Sequence, residues 1–327
     1  MARIGVVVIG RNEGERLRRC LMSLVPAGLP IVYVDSGSTD GSPDMARSMG
    51  VEVVALDLSI PFTAARARNS GFERLMQMEA ALEFVQFVDG DCEVAAGWLE
   101  SAEAALNAEP RCAVVCGRRR ERHPEVSVYN RLCDIEWDTP VGPASACGGD
   151  ALMRVEALRQ VGGYDSSVIA AEDDEVCFRI RQAGWQIQRI DAEMTLHDAA
   201  MTRFRQWWKR AVRAGYAYSL GAFMHGSSPA RHFCRERRRL LIWGFLIPFV
   251  LLAAAWPTEG WSLLGFLLYP LQVLRIYRRT RQRRIPRGDS FAFAMSCVGS
   301  KVPEFLGFCK FRLDRLRGRR GVIIEHK

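Results

Sequence analysis

Two aspartates one residue apart, Asp89 and Asp91, directly follow an apolar run at residues 84–88. Because a glycine separates them, both carboxylates can turn toward one hard cation, and such cations take oxygen ligands and bridge to substrate phosphates. An Asp-Gly pair is also a common turn, so a purely structural interpretation stays open. The pattern predicts either a divalent-cation site or a simple turn at the end of a strand.

A second acidic group, Glu172-Asp173-Asp174-Glu175, stands at the predicted start of a helix. Acidic residues in a first helical turn are favoured by the helix dipole, which is enough to explain any one of them. Four together exceed what capping needs. A carboxylate beside a second carboxylate cluster is a natural general base. We therefore expect at least one of the four to have a chemical role.

A third polar segment begins at Asp35, where the apolar run at residues 30–34 ends, and continues through small residues to Gly41. Asp35 at the end of a strand can contact a ligand. It can equally begin an Asx-turn, with Ser42 capping the next helix. The residues alone leave both interpretations open.

The elements that position these groups alternate between apolar, strand-like runs and helix-like segments. The runs lie at residues 4–9, 30–34, 51–56 and 84–88, each bounded by turn residues. Continuous Val/Ile-rich strands are typical of a parallel sheet covered on both faces, where ligands bind at the carboxyl ends of the strands. The sequence therefore predicts an α/β fold that gathers the three polar clusters at one edge of the sheet.

The charge is unevenly distributed along the 327 residues. Residues 1–230 carry 25 Lys/Arg against 31 Asp/Glu, a net charge of −6, and residues 231–327 carry 20 against 6, a net charge of +14. An acidic part joined to a basic, apolar part indicates a globular head with a membrane-facing foot, and we expect no nucleic-acid partner. The ten cysteines lack the spacing of a zinc site and are expected to be reduced thiols.

In their order and spacing, these blocks resemble the family 2 inverting glycosyltransferases, which have the Rossmann-like nucleotide-diphospho-sugar transferase (GT-A) fold. The resemblance covers about residues 4–220. It rests on residues 8–13, the Asp35 turn, the Ala-Arg-Asn-Ser-Gly block at residues 67–71, Asp89 to Asp91, and the Gly-Gly-Tyr block at residues 162–164 before Glu172 and Asp173.

The resemblance implies a role for each matching residue. Asp173 matches the catalytic base, and Asp91 matches a ligand of the divalent cofactor, Mn²⁺ or Mg²⁺. His197 stands where members often place another metal or diphosphate ligand, although a lone histidine is often structural. The donor-nucleotide contacts implied are Glu13, Asp35 and Arg68, with Asp89 near the ribose and diphosphate.

Two departures from the family pattern bear on specificity. Ser36 replaces a second aspartate that contacts the base in many members, so the nucleotide preference stays open. Residues 206–210 read Gln-Trp-Trp-Lys-Arg and do not match the Q-x-x-R-W block of processive synthases. We therefore expect inverting transfer of one sugar to a hydroxyl of a glycan or lipid-linked acceptor, in cell-envelope polysaccharide synthesis.

Two other functions stay open from the sequence. A sugar-phosphate nucleotidyltransferase has a similar sheet, but it needs a Gly-rich phosphate loop after the first strand, and residues 9–14 match such a loop poorly. A catalytically inactive membrane adaptor of the same fold would not need both Asp91 and Asp173. The presence of both carboxylates favours an active transferase.

We predict a catalytic domain over residues 1–230 and a membrane-associated helical hairpin with a basic tail over residues 231–327. The apolar stretches at residues 240–256 and 261–274 have arginines on both flanks, and the tail includes Arg319 and Arg320. Positive charge marks the cytoplasmic side of apolar segments and attracts anionic lipid. The expected location is the inner membrane, with the catalytic domain on the cytoplasmic side and membrane lipid as a partner.

Overall fold

A computed structural model of the chain describes residues 3–318, so Arg319 and Arg320 of the predicted basic tail lie outside the described residues. Within that range the strands form one sheet of order β3-β2-β1-β4-β8-β6-β9-β5, and β7 pairs with β9. The strands are β1 Ile4–Gly10, β2 Ile31–Asp35, β3 Glu52–Ala55, β4 Phe84–Asp89, β5 Cys92–Val94, β6 Cys112–Glu121, β7 Gly142–Pro143, β8 Ala151–Arg154 and β9 Gln186–His197.

The first four strands are parallel, as predicted, and they form the centre of the core. Val6, Val7 and Val8 of β1 are fully buried, and because successive side chains of a strand point to opposite faces, both faces of this part of the sheet are covered. In the register, Gly10 lies opposite Asp35 and Ile9 lies opposite Asp89. The ends of β2 and β4 therefore meet at one edge, on either side of the end of β1.

The remaining strands make the sheet mixed, which the expectation of a parallel sheet did not include. β8 runs antiparallel to both β4 and β6, and β5 runs antiparallel to β9. β6 and β9 are long, parallel to each other, and shift register at three places. This arrangement sets Cys92 on one side of His197 and Glu121 on the other.

Helices lie in several of the connections between strands and make up most of the described chain after β9. Those up to residue 182 are α1 Glu15–Leu24, α2 Ser42–Ser48, α3 Ala64–Met78, α4 Trp98–Ala108, α5 Val128–Trp137, α6 Val155–Gln160 and α7 Glu172–Gln182. Those that follow β9 are α8 Phe204–His225, α9 Cys234–Leu241, α10 Ile247–Ala253, α11 Leu268–Arg281, α12 Arg287–Gly299 and α13 Lys301–Leu316.

The chain divides into two compact units. The first contains the residues up to Arg122 together with Glu136–Ala199, and the second contains His123–Ile135 together with the residues from Ala200 onward. Compactness groups residues 200–230 with the helical unit, whereas the predicted catalytic domain included them. Because compactness does not define which residues serve a function, the division into residues 1–230 and 231–327 stays a prediction.

The predicted localisation at the inner membrane is wrong. Among residues 3–318, no helix is both long enough and apolar enough to cross a membrane. The first apolar stretch is divided between the end of α9, a π-helical turn at Ile242–Leu246 and α10, whose 7 residues rise only about 10 Å. The second stretch continues into α11, which carries arginines in its last turn.

Candidate active site

The turn after β2 is held by the side chain of Asp35. Its Oδ2 accepts hydrogen bonds from the backbone N–H groups of Gly37 and Ser38, both at 3.0 Å, and Tyr33 donates its hydroxyl to Oδ1 at 3.1 Å. This is the Asx-turn that the sequence left open. The turn buries Ser36, whose hydroxyl has no hydrogen-bond partner among the described residues.

The loop after β1 is tied to this turn by Asn12. Its backbone N–H donates to Ser38 Oγ at 2.9 Å, and its Oδ1 accepts from the N–H of Thr39 at 2.8 Å. The next residue, Glu13, forms an ion pair with Arg16 at 2.8 Å, and its Cγ would lie 3.5 Å from a Cβ added at Gly90. Glu13 is therefore placed beside the glycine that separates Asp89 from Asp91.

The guanidinium of Arg68, on α3, connects two of the acidic clusters. It is buried, and its Nη2 lies 2.8 Å from Asp89 Oδ1 while its Nη1 lies 2.8 Å from Glu172 Oε1. Asp173 Oδ1 is 3.6 Å from the same Nη1. A buried charge needs such partners, since an unpaired one would be strongly destabilising. Arg68 thus brings the end of β4 together with the first turn of α7, which are two of the three polar clusters that the predicted fold was expected to gather.

Asp173 differs from Glu172 because it makes no direct hydrogen bond to Arg68, and its Oδ1 has no hydrogen-bond partner in the described chain. Burial raises the pKa of Asp173 well above its ordinary value. The charge of Arg68 opposes this shift, and the nearby carboxylates of Glu172, Asp89 and Asp174 add to it. A carboxylate whose pKa is raised and whose oxygen is free of donors is suited to accept a proton.

The Gly148-Gly149-Asp150 segment, which the sequence analysis missed, completes this part of the site. Asp150 is fully buried and accepts from the backbone N–H of Asp89 at 3.1 Å and from the hydroxyl of Thr195 at 2.7 Å. Arg119, also missed, forms an ion pair with Asp150 at 2.8 Å. Two adjacent glycines before a carboxylate and a strand are the signal that could have identified this segment, since glycine marks a close approach of backbone.

Gly149 should not tolerate a side chain. A Cβ there would lie 2.3 Å from Arg68 Nη2 and 2.7 Å from Asp89 Oδ2, so Gly149→Ala must displace this ion pair. We expect a loss of about 1–3 kcal/mol in the free energy of unfolding, typical of overpacking, together with weaker donor binding. Thermal unfolding and donor titration measure the two effects. Gly288→Ala is the control, because no atom lies within 4 Å of its added Cβ. An equal effect in both variants would contradict the proposed clash of a side chain at residue 149 with the Arg68–Asp89 ion pair.

The second half of the site pairs Asp91 with His197. Asp91 is buried, and its Oδ1 lies 3.4 Å from His197 Nε2. The Sγ of Cys92 lies 3.6 Å from the same carboxylate oxygen. One ligand atom from each of these three residues falls within 4.8 Å of the others. The predicted ligands Asp91 and His197 are therefore adjacent, with a thiol beside them.

Two groups lie on the far side of the His197 ring. Its Nδ1 lies 3.8 Å from Glu121 Oε2, which accepts from the N–H of Ala199 at 3.0 Å, and the ring packs edge-on against Trp137 at 4.7 Å. At 3.8 Å the Glu121 carboxylate is too far to accept a hydrogen bond from Nδ1, and Nε2 faces Asp91. The carboxylate of Asp91 is an oxygen ligand of the kind that Mn²⁺ and Mg²⁺ prefer, so this residue fits the predicted ion. Sequence reasoning missed Glu121.

The chain is similar in sequence to known glycosyltransferases. Residues 5–162 match the family model for glycosyl transferase family 2. A pre-mycofactocin glycosyltransferase of Mycobacterium tuberculosis is 29% identical over 243 residues, which cover 69% of this chain and 49% of the relative. The succinoglycan biosynthesis protein ExoA of Rhizobium meliloti is 28% identical over 247 residues, 71% of this chain and 70% of the relative. The chain spans about half the length of the first of these curated relatives.

Among solved structures, a mannosyltransferase of Pyrobaculum calidifontis, PcManGT, has a similar fold. Its structure contains GDP-Man and Mn²⁺. The TM-score is 0.65 at 21% identity, and the alignment covers 96% of this chain and 88% of that one. This likeness confirms the predicted α/β fold of the nucleotide-diphospho-sugar transferases.

Proposed function

We propose that the chain is a glycosyltransferase of family 2 that transfers one sugar from a nucleotide-diphospho-sugar to an acceptor hydroxyl with inversion at the anomeric carbon. The observation that carries this proposal is the buried contact of Arg68 with Asp89 and Glu172, which leaves the neighbouring Asp173 without a hydrogen bond to its Oδ1. The proposed base therefore lies near Asp89, two residues before the proposed cation ligand Asp91, where β4 ends at the carboxyl edge of the sheet.

In the proposed reaction, Asp173 takes the proton of the acceptor hydroxyl. The hydroxyl oxygen forms a bond to the anomeric carbon, and the bond from that carbon to the diphosphate oxygen breaks with its electron pair leaving on the nucleoside diphosphate. Attack from the face opposite the leaving group inverts the configuration. Glu172 is a poorer candidate for the base, because Arg68 already occupies one of its oxygens at 2.8 Å.

The proposed donor contacts are Glu13, Asp35, Arg68 and Asp89, which surround the ends of β1, β2 and β4. Asp35 would act largely through the turn that it holds, because Gly37, Ser38 and Tyr33 already donate to its oxygens. The buried hydroxyl of Ser36 has no hydrogen-bond partner in the described chain and would be available to the nucleotide.

Asp91 and His197 would hold the divalent cation, Mn²⁺ or Mg²⁺. When bound, the ion supplies positive charge beside the departing diphosphate. The charges of the first unit favour a cation, since the buried or partly buried acidic groups of the site outnumber its two guanidiniums, Arg68 and Arg119. The acidic groups are Asp89, Asp91, Glu121, Asp150, Glu172 and Asp173. The Mn²⁺ in the PcManGT structure supports the same proposal.

We propose a glycan, with or without a lipid carrier, as the acceptor, in the synthesis of cell-envelope polysaccharide. The support is the name of the relative ExoA, a succinoglycan biosynthesis protein. The mismatch of residues 206–210 with the processive block favours addition of a single sugar.

The test is release of nucleoside diphosphate by the purified full chain, with Mn²⁺, a panel of nucleotide sugars and a glycan acceptor. We expect one donor to be consumed well above the rest, and NMR of the product to show the inverted anomeric configuration. Asp173→Asn is the matched control and should give little release. Release of pyrophosphate from a nucleoside triphosphate would instead indicate a nucleotidyltransferase, and no release with any donor would indicate an inactive adaptor.

A further inference from the structure

Cys92 stands next to the proposed cation ligands and has no part in the transfer reaction. Its side chain is almost completely buried, and its Sγ lies 3.6 Å from Asp91 Oδ1, which in turn lies 3.4 Å from His197 Nε2. The placement follows from the backbone, because Cys92 and His197 are direct partners in the antiparallel pairing of β5 and β9. Side chains opposite each other across two strands lie on the same face.

The separations of the three donors suit a tetrahedral cation. With metal–oxygen and metal–nitrogen distances near 2.0–2.2 Å and a metal–sulfur distance near 2.3 Å, tetrahedral angles place an oxygen about 3.4 Å from a nitrogen and about 3.6 Å from a sulfur. The observed distances from Asp91 Oδ1 are 3.4 Å to His197 Nε2 and 3.6 Å to Cys92 Sγ. All three ligand atoms lie within 4.8 Å of one another, so small side-chain movements would bring them to bonding distance of one ion.

The chemical types of the three ligand atoms favour one class of metal ion. Thiolate and imidazole suit zinc and similar borderline-soft cations, whereas Mn²⁺ and Mg²⁺ prefer oxygen ligands. Affinity for a site of nitrogen, oxygen and sulfur donors also rises from Mn²⁺ through Co²⁺ to Zn²⁺. Glu121 lies behind His197, but its Oε2 is 3.8 Å from Nδ1, beyond hydrogen-bond distance, so the three ligand atoms themselves carry the case for the site.

We propose that Asp91, Cys92 and His197 form a three-ligand site for a zinc-class divalent cation, with the fourth position open. The thiol proton leaves to solvent when the ion binds, since the thiolate is the ligand. An ion held there occupies Asp91 and His197 and excludes Mn²⁺ from them. Zinc therefore inhibits Mn²⁺-dependent sugar transfer, a consequence that rests on the function proposed above.

The first experiment is a titration of the purified full chain with Co²⁺, without any donor. We expect about one Co²⁺ per chain, a sulfur-to-cobalt charge-transfer band in the near ultraviolet, and loss of the band when Zn²⁺ is added. Cys92→Ser should abolish the band. Cys309→Ser is the matched control, because it removes an exposed thiol from the helical unit and should keep the band. Absence of the band in the parent chain, or its survival in Cys92→Ser, would overturn the proposal.

The second experiment measures inhibition of Mn²⁺-dependent turnover by Zn²⁺. The zinc concentration for half inhibition should rise about tenfold or more in Cys92→Ser relative to Cys309→Ser. Removing a group that only hydrogen-bonds a metal ligand lowers metal affinity by that factor, and removing a ligand itself should lower it at least as much. Equal sensitivity of the two variants to zinc would contradict the proposal. If no variant turns over any donor while the cobalt band depends on Cys92, the proposed function fails and the zinc site stands.

Discussion

Asp173→Asn should lower kcat by about 10²- to 10⁴-fold, the range expected for loss of a positioned general base. The amide keeps the size of the side chain but cannot take the proton of the acceptor hydroxyl. Because Asp173 Oδ1 has no hydrogen-bond partner among the described residues, the substitution breaks no bond at that atom, and donor affinity should stay near that of the parent. Steady-state kinetics and thermal unfolding of the purified variant measure these quantities.

The neighbouring carboxylates provide matched controls for Asp173. Asp174→Asn changes the next residue of the same helical turn and should leave kcat near the parent value. Glu172→Gln weakens the 2.8 Å contact with Arg68 and should raise the KM for the donor more than it lowers kcat. Near-normal turnover of Asp173→Asn, with a large loss in either control, would move the role of base to that residue.

The activity should also depend on pH through Asp173. Burial raises the pKa of its carboxyl, Arg68 opposes the shift, and Glu172, Asp89 and Asp174 add to it. Only the deprotonated carboxylate can act as a base, so kcat/KM should fall as the pH decreases through this raised pKa. The acidic limb should therefore lie at a higher pH than the ordinary aspartate value of about 3.9.

The pH profile of kcat/KM, measured over a range where the chain stays folded, locates that limb. Its absence from the residual activity of Asp173→Asn would confirm that Asp173 is the titrating group. An identical limb in the parent and in the variant would assign the titration to another residue.

The parallel half of the fold could be predicted because its strands are continuous apolar runs. The runs at residues 4–9, 30–34, 51–56 and 84–88 became β1 to β4 with small shifts at their ends. The reversal of direction at β8 could not be predicted, since it depends on pairing between residues far apart in the chain. The second half of β9, up to His197, could not be recognised in the sequence either, because acidic residues such as Asp191 and Glu193 interrupt its apolar residues.

The candidate site shows the same division. Residues in known motifs, such as Asp89 and Asp173, were found because order and spacing carry the resemblance. Arg119 and Glu121 belong to the run Arg-Arg-Arg-Glu at residues 118–121, which looks like a solvated surface in sequence. Glu121 is in fact buried and Arg119 is partly buried, each beside a partner from a distant segment, Asp150 for Arg119 and His197 for Glu121. Buried charges require such partners, and the sequence alone does not show which residues they are.

A comparably large effect is expected at Asp91. Of the two carboxylates in the Asp-Gly-Asp segment, Asp89 is engaged by the Arg68 guanidinium at 2.8 Å, so a cation must compete for it. Asp91 instead directs Oδ1 toward His197 Nε2 at 3.4 Å. Asp91→Asn removes the negative charge and leaves a weaker oxygen donor. Removing a group that hydrogen-bonds a metal ligand lowers metal affinity by about 10- to 100-fold, so removing the charge of the ligand itself should lower it at least as much.

Mn²⁺ binding can be measured without turnover, by electron paramagnetic resonance of the free ion during a titration of the full chain. Asp91→Asn should weaken binding by the factor given above and reduce Mn²⁺-dependent turnover in parallel. Asp198→Asn is the matched control, because Asp198 follows His197 directly and its recorded ion pair, with Arg19 at 3.9 Å, is long and partly exposed. If Asp91→Asn bound Mn²⁺ as tightly as Asp198→Asn does, the cation would have to bind elsewhere. The carboxylates around Arg68, which are Asp89, Glu172 and Asp173, would then be the next candidate ligands.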